Sequence, residues 1–95
     1  MRKITADAIR AFRNGNKFKR DNTEVRIYGQ QWLLMLHNHV IASLEPEGLF
    51  ITSAGWETPT TKERLNGLPN VHIVQKNFQW FLNGEAWDGS LIKIS

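Results

Sequence analysis

The fold is decided by the stretch Gly55-Trp56-Glu57-Thr58-Pro59-Thr60-Thr61-Lys62-Glu63-Arg64-Leu65-Asn66-Gly67-Leu68-Pro69, which carries signals for both ends of a short helix. Strand-like sequence precedes and follows it, so the helix joins two sets of strands. About two helical turns are too short to be stable alone in water. Packing must therefore hold this helix, and we expect its anchors to be Trp56, Leu65 and Leu68.

The start of this helix has two interpretations. Thr58 can be the N-cap, with Pro59 at the first helical position, where its missing N–H costs nothing. Alternatively, Thr60 is the N-cap and Glu63 completes a Thr-x-x-Glu capping box. The end is predicted at Asn66-Gly67, because glycine adopts the left-handed cap conformation without a Cβ penalty.

Positive charge is concentrated at the beginning of the chain. The 95 residues carry a net charge of +3. Residues 1–20 contain seven basic side chains and one acidic one, a net charge of +6, whereas residues 21–95 contain five basic and eight acidic ones, a net charge of −3. This asymmetry favours an acidic partner. The candidate binding residues are basic side chains near the two predicted helices: Arg10, Arg13, Lys17, Lys19, Arg20, Lys62 and Arg64.

These basic residues also have structural explanations. Arg10 and Arg13 lie three apart near a helix C-terminus, where cations are favoured. Lys62 and Arg64 would either bind an anion near the start of the central helix or form the solvated face of a connector. In residues 16–22, an aromatic residue among basic ones is a composition typical of nucleic-acid binding, although a single ring is a narrow basis.

Hydrophobic periodicity predicts the other elements. Residues 4–14 read as a helix with Thr5 as N-cap and a narrow apolar stripe. From Thr23 the period changes to two, which predicts four strands joined by short turns. After Pro69 the alternation returns. A turn is predicted at Lys76-Asn77, and Phe78, Trp80 and Leu82 then alternate with Gln79 and Phe81 on the returning strand. Asn83-Gly84 is a strong hairpin signal because both positions of a type I′ turn need positive φ.

The order of these elements predicts an α+β fold in a single domain, residues 1–95. We expect an antiparallel sheet of about six strands, made of a four-strand meander plus a C-terminal hairpin. An N-terminal helix and the short capped helix near residues 60–67 pack on it. Residues 88–95 could add an edge strand or remain a partly ordered tail.

Composition argues against several classes of site. The chain has no cysteine, which excludes a disulfide framework and cysteine-based zinc sites. His37 and His39 are two apart, but a predicted turn at Asn38-His39 separates them, and His72 is distant in sequence. We find no nucleophile motif and no phosphate-binding glycine loop, so we expect no catalytic residue, no metal and no cofactor. No stretch approaches the roughly 18 apolar residues of a membrane span.

The aromatic content is high for a small sheet protein. Four tryptophans and five phenylalanines are present. Core packing explains most single rings. The set nevertheless exceeds what a small sheet hides easily, and we expect Phe81 and Trp87 to be partly exposed. An exposed ring beside basic residues suits base stacking or a protein-binding hot spot.

Three quoted runs carry a resemblance to a known group. They are the central stretch at 55–69, the run Gln79-Trp80-Phe81-Leu82-Asn83-Gly84-Glu85-Ala86-Trp87-Asp88-Gly89, and the earlier Ala11-Phe12-Arg13-Asn14-Gly15 with Phe18-Lys19. Together they resemble small hypothetical proteins encoded by tailed bacteriophages and prophages. The resemblance implies a phage origin and expression in the host bacterial cytosol. It transfers no catalytic residue to this chain.

The sequence therefore suggests a small non-catalytic accessory protein of phage type that binds a macromolecular partner. A host or phage protein is the favoured partner, because the aromatic surplus is not matched by a reaction site. The alternative is nucleic-acid binding through the basic N-terminal helix and the connector after it. We expect no membrane association, and the chain to be a monomer or a homodimer.

Overall fold

The computed structural model describes residues 1–95 and contains two helices and nine strands. The strands form two antiparallel sheets. The elements are α1 (Lys3–Asn14), β1 (Phe18–Arg20), β2 (Thr23–Tyr28), β3 (Gln31–Leu36), β4 (His39–Glu45), β5 (Gly48–Ile51), α2 (Pro59–Leu65), β6 (Ile73–Lys76), β7 (Gln79–Leu82), β8 (Glu85–Ala86) and β9 (Ile92–Lys93). The predicted α+β class is confirmed, with the sheets forming most of the regular structure.

The larger sheet is a meander that the last strand extends. Its order is β1-β2-β3-β4-β5-β9, and every neighbouring pair is antiparallel. The segment around Phe18, which the sequence suggested was a basic connector, is strand β1. The chain end forms β9, with Ile92 opposite Ile51 at the far edge. The larger sheet therefore has six strands without the predicted C-terminal hairpin.

That hairpin belongs to a separate sheet, in the order β6-β7-β8. The side-chain amide of Asn66 occupies the free edge of β6. Its Nδ2 donates to the Ile73 carbonyl over 3.0 Å, and its Oδ1 accepts from the Ile73 N–H over 2.6 Å. Because the amide pairs with both backbone groups of that residue, it stands where a neighbouring strand would pair.

One hydrophobic core connects α1, α2 and both sheets. Its 17 buried residues are Ala8, Ile9, Phe12, Val25, Leu34, Leu36, Ile41, Ala42, Leu49, Ile51, Leu65, Leu68, Val71, Ile73, Trp80, Leu82 and Trp87. The apolar stripe predicted for α1 supplies the first three. The strand positions that alternate toward the core in β2 and β3 supply the next three.

Helix α1 begins earlier than predicted. It starts at Lys3, and its N-cap, Arg2, makes no side-chain capping hydrogen bond. Thr5, which we expected to be the cap, lies inside the helix and is fully buried. Its hydroxyl donates to Glu63 and accepts from Arg64, so it serves a contact between the two helices rather than a cap.

Helix α2 follows the first of its two predicted starts. Thr58 is the N-cap, and its hydroxyl accepts from the Thr61 N–H over 3.2 Å, with Pro59 at the first position. The predicted left-handed glycine cap is wrong, because Asn66 is right-handed and Gly67 does not have a positive φ. Gly67 instead allows close packing. A Cβ there would lie 2.9 Å from Ile9 and 3.0 Å from Thr5 on α1.

Two hairpin turns lie one residue from their predicted positions. The β3–β4 turn is His37-Asn38 rather than Asn38-His39, and the β6–β7 turn is Asn77-Phe78 rather than Lys76-Asn77. All four turn residues have positive φ, as a type I′ turn requires. Asparagine suits either position of such a turn, so its presence locates the turn only to within one residue. The predicted turn at Asn83-Gly84 is confirmed.

Candidate functional site

A cleft of about 430 Å³ lies between the β3–β4 turn, the chain after β5 and the start of α2. The residues of this feature, which we call the Trp56 cleft, are Leu36, His37, His39, Ile41, Ser53, Trp56, Thr58, Thr60 and Thr61. Leu36 and Ile41 belong to the core and form an apolar floor. The rings of His39 and Trp56 form an aromatic wall, with centroids 5.7 Å apart and planes tilted by 36°.

Trp56 stands in this cleft with 56% of its surface exposed. We predicted it to anchor α2 in the core, and that prediction is wrong. The chain turns sharply just before it, because Ala54 and Gly55 both have positive φ, at 56° and 83°. Positive φ is uncommon for alanine, and such conformations cluster at functional sites.

Hydrogen bonds from neighbouring residues and from the distant Gly89 hold this turn in place. The Trp56 N–H donates to the Ser53 carbonyl over 2.9 Å, and the Gly55 N–H donates to Ser53 Oγ over 3.2 Å. The Ala54 N–H donates to Thr52 Oγ1 over 3.1 Å, and Ser53 is tied to the Gly89 carbonyl over 2.8 Å. The backbone beneath the indole is thus preorganised, which lowers the entropy cost of binding.

The chemistry of the Trp56 cleft is apolar and aromatic with a hydroxyl rim. None of its residues is a carboxylate, lysine or arginine. The hydroxyls of Thr58 and Thr61 lie 3.0 Å apart and bond to each other. The cleft also contains His37 and His39, which we had considered in the sequence only as metal ligands. Such a surface can accept an apolar or aromatic side chain and donate a few hydrogen bonds.

The basic side chains near α1 gather around a single carboxylate. Asp7 accepts from Arg20 over 2.8 Å and from Arg10 over 3.4 Å, and the Lys3 ammonium lies 3.5 Å away. The hydrogen bond from Arg20, together with the charges of Lys3 and Arg20, outweighs desolvation and lowers the pKa of Asp7. The Arg20 guanidinium also lies 5.1 Å from the ring centroid of Phe18. Three cations against one anion leave this surface positive.

The other predicted cations form no ion pair with Asp7. Arg13 nevertheless lines a surface groove together with Arg10. Arg13 is exposed near the end of α1, and Lys17 is exposed in the connector before β1. Lys19 points away from Arg20, because successive side chains of β1 alternate between the two faces of the sheet. On that opposite face it lies across from Glu24. The first twenty residues therefore present positive charge on more than one face.

Arg64 is buried, although the sequence suggested a solvated or anion-binding residue. Its side chain is 1% exposed and forms an ion pair with Glu63. It donates to the hydroxyls of Thr5 over 2.9 Å and of Thr23 over 3.0 Å, joining α2 to α1 and β2. Burial opposes ionisation of Glu63, but hydrogen bonds from Thr5, from the Arg2 N–H and from Arg64 outweigh it and lower its pKa.

Lys62 is half-buried on α2 and belongs to no ion pair of the structure. The structure thus brings Arg10 and Arg20 together around Asp7, and it does not join Lys62 or Arg64 to them.

The exposed aromatic residues differ from those expected. Trp87 is buried, and its indole N–H donates to the Ser90 carbonyl over 3.0 Å. Phe81 is half-buried, as predicted. Phe78, which we placed on the returning strand with Trp80 and Leu82, occupies the β6–β7 turn and is exposed to solvent. The sequence signal for this placement is Asn77, whose tolerance of positive φ also fits a turn at Asn77-Phe78.

Neither helix of the structure has the length and apolar character needed to cross a membrane.

Comparison with protein-family models gives a match that spans nearly the whole chain. A family model described as Kyanoviridae Gp96 protein matches residues 1–93. No curated protein matches the chain, and no solved structure matches it. The match confirms the resemblance to small phage-encoded proteins. The chain therefore belongs to the Kyanoviridae Gp96 protein family, a family of phage proteins.

Proposed function

We propose that this chain is a small non-catalytic phage accessory protein that binds a host or phage protein through the Trp56 cleft. The observation that carries the proposal is the half-exposed indole of Trp56, held on a hydrogen-bonded turn above the apolar floor of Leu36 and Ile41. Tryptophan is enriched among the residues that dominate binding energy at protein interfaces. A protein partner would fill the cleft with an apolar or aromatic side chain.

The geometry of the cleft supports a protein partner more directly than a reaction. Its hydroxyls and imidazoles can satisfy the polar groups at the edge of an interface. Hydrogen bonds hold the turn that precedes Trp56, so little conformational entropy is lost when a partner covers the indole. A carboxylate pair or an activated nucleophile, as acid–base or covalent catalysis would use, is absent from the residues of the cleft.

Affinity capture from a lysate of the infected bacterial host tests this proposal. The tagged protein should retain a stoichiometric partner, and Trp56→Ala should reduce its recovery by about tenfold or more. Tyr28→Ala is the matched control, because Tyr28 is 55% exposed but lies outside the cleft. Equal recovery by Trp56→Ala and the unmodified protein would exclude the cleft as the binding site.

Nucleic-acid binding is a second candidate function, favoured by the gathering of Lys3, Arg10 and Arg20 around Asp7. Its test is the salt dependence of binding to a labelled duplex and a labelled single strand. Binding through phosphate contacts should weaken steeply as salt rises, and Arg10→Ala with Arg13→Ala should reduce the slope. Absence of a mobility shift at low salt for both probes would remove this candidate.

A further inference from the structure

The hairpin of β6 and β7 presents an aromatic side chain at its tip. Phe78 is 96% exposed, more than any other large apolar side chain of the protein. The five residues that precede and follow it, at 74–77 and 79, are exposed as well. A ring this exposed gains almost nothing from packing within the chain, so it is available for a contact with another molecule.

The backbone at this position strengthens that interpretation. Phe78 has a φ of +65°, and Asn77 before it has a φ of +53°. Type I′ turns favour asparagine and glycine, because a Cβ and a bulky side chain are strained at positive φ. Phenylalanine is therefore unfavourable for the turn itself, and its burial against the core does not compensate. Because the ring is 96% exposed, a contact outside its own chain is what could offset this strain.

The Trp56 cleft has the properties of a receptor for such a side chain. It offers a buried apolar floor, an aromatic wall and a volume of about 430 Å³. An aromatic side chain buries about 150–250 Å² and pairs favourably with another ring in a tilted arrangement. Contact between the indole of Trp56 and the phenyl ring of Phe78 would bury apolar surface of both side chains.

The charges of the two surfaces are also complementary. Residues 74–79 of the hairpin carry Lys76 and no acidic side chain. Exposed Glu57 lies in the chain between Trp56 and Thr58, two residues of the cleft, and the cleft has no lysine or arginine. A lysine two residues before the inserted ring can therefore approach a carboxylate at the rim.

We propose that Phe78 of one copy inserts into the Trp56 cleft of a second copy, with Lys76 facing Glu57. The inference rests on the proposed function, since it uses the same cleft, and it names a second copy of this chain as an occupant. The hairpin and the cleft are different surfaces, so the contact is head-to-tail and can propagate into rings or chains. The interface is small, so association is weak and becomes visible only at high protein concentration.

Sedimentation velocity over a range from about 10 µM to about 1 mM is the first test. The weight-average sedimentation coefficient of the unmodified protein should rise with concentration. Phe78→Ala and Trp56→Ala should each abolish the rise. Leu91→Ala, which removes another exposed apolar side chain outside both surfaces, should leave the rise unchanged. Circular dichroism is the check that each variant is folded, and we expect both substitutions to be tolerated because Phe78 and Trp56 are exposed.

Mixing the two inactive variants gives the sharper test. Phe78→Ala retains an intact cleft, and Trp56→Ala retains an intact hairpin. Each alone should be monomeric, whereas the mixture should form a 1:1 complex that cannot propagate. Lys76→Glu should weaken association, and adding Glu57→Lys to the same chain should restore it. A mixture that stays monomeric while the unmodified protein associates would overturn this pairing of surfaces.

Failure of this inference is distinguishable from failure of the proposed function. If the unmodified protein stays monomeric at all concentrations, self-association is wrong, whatever the capture experiment gives. In that case a lysate partner that still depends on Trp56 would preserve the proposed function. If self-association holds at high concentration, Phe78→Ala should leave the recovery of a lysate partner unchanged at the lower concentration of the capture experiment, so the two results are independent.

Discussion

The side chain of Arg64 shows how one buried charge can connect three elements. It reaches from α2 to Thr5 on α1 and Thr23 on β2, and it pairs with Glu63 beside it. Every buried polar side-chain atom of the protein has a hydrogen-bond partner. A buried cation is tolerated only under such conditions, since an unpaired one would be strongly destabilising.

Replacing this arginine should therefore be costly. We expect Arg64→Leu to lower the free energy of unfolding by about 3 kcal/mol, because it leaves the Glu63 carboxylate without its cation and two hydroxyls without a donor. Urea denaturation measures the change. Arg13→Leu is the control, because Arg13 is exposed and lacks an ion pair. A loss below about 1 kcal/mol for Arg64→Leu would contradict the structural role.

The lowered pKa of Glu63 predicts how stability depends on pH. Its ordinary value is 4.5, and the folded protein holds it lower. The folded state therefore favours the carboxylate, and this stabilisation is complete above pH 4.5 and is lost as pH falls through the lowered pKa. We expect Glu63→Gln to flatten the decline of melting temperature below pH 5. A decline as steep as that of the unmodified protein would assign it to other carboxylates.

At the scale of single residues, the sequence predicts the features that depend on residues adjacent in the chain. The cap at Thr58 follows from the Thr-Pro pair, and the structure confirms it. The partners of Arg64 lie 41 and 59 positions away, at Thr23 and Thr5. No local sequence pattern indicates contacts between residues so far apart, so the charged residues of α2 were expected to be exposed to solvent.

The hairpin of β6 and β7 is the element in which local preference and observed conformation disagree most. Phe78 adopts positive φ at a turn position that glycine would occupy without strain. We expect Phe78→Gly to raise the free energy of unfolding by about 0.5–1 kcal/mol, since relief of strain exceeds the added flexibility of the unfolded chain. Thermal and urea denaturation measure the gain.

Asn77→Gly is the matched control for this substitution. It changes the other turn residue, whose φ is +53°, and asparagine tolerates that conformation better than phenylalanine. Its effect on stability should therefore be smaller. If Phe78→Gly destabilises the protein, the ring contributes to the fold, and its conformation then gives no support to a role in binding.

Strands β2 to β7 and most of their turns were predictable at this scale to within one or two residues, whereas β1 was expected to be part of a connector. Alternation identifies strands well, because one face of each strand is buried. The residue order His37-Asn38-His39 does not state which pair takes positive φ, since asparagine fits either turn position. The register of the hairpin is set by its strand pairing, which involves residues beyond the turn.

The whole molecule shares one core, although it has two sheets. Val25 and Leu34 from the larger sheet and Ile73 and Trp80 from the smaller one belong to the same buried cluster. Whether the C-terminal hairpin joins the larger sheet was not predictable, because the alternating pattern of β6 and β7 suits either arrangement. The edge of β6 is occupied by the Asn66 side chain, and the edge of β5 is occupied by β9, so the two sheets do not join at these edges.

This shared core predicts cooperative unfolding as a single domain. In a variant with Trp32→Phe and Trp56→Phe, fluorescence comes from Trp80 and Trp87, which both belong to the part of the chain after α2. We expect the fluorescence transition to coincide with the loss of far-ultraviolet circular dichroism, as in a two-state transition. Two separated midpoints would show that the smaller sheet unfolds by itself.

The position of β9 has a consequence for the synthesis of the protein. Ile94 donates to the Leu49 carbonyl over 2.7 Å, and Leu49 donates to the Ser95 carbonyl over 3.1 Å, so the edge of β5 is completed by residues near 95. Forty residues separate Ile51 from Ile92. At about 5–20 residues per second, the ribosome leaves that edge unpaired for roughly 2–8 seconds. During translation this edge is therefore the place where a nascent-chain chaperone would bind, or where two nascent chains would pair wrongly.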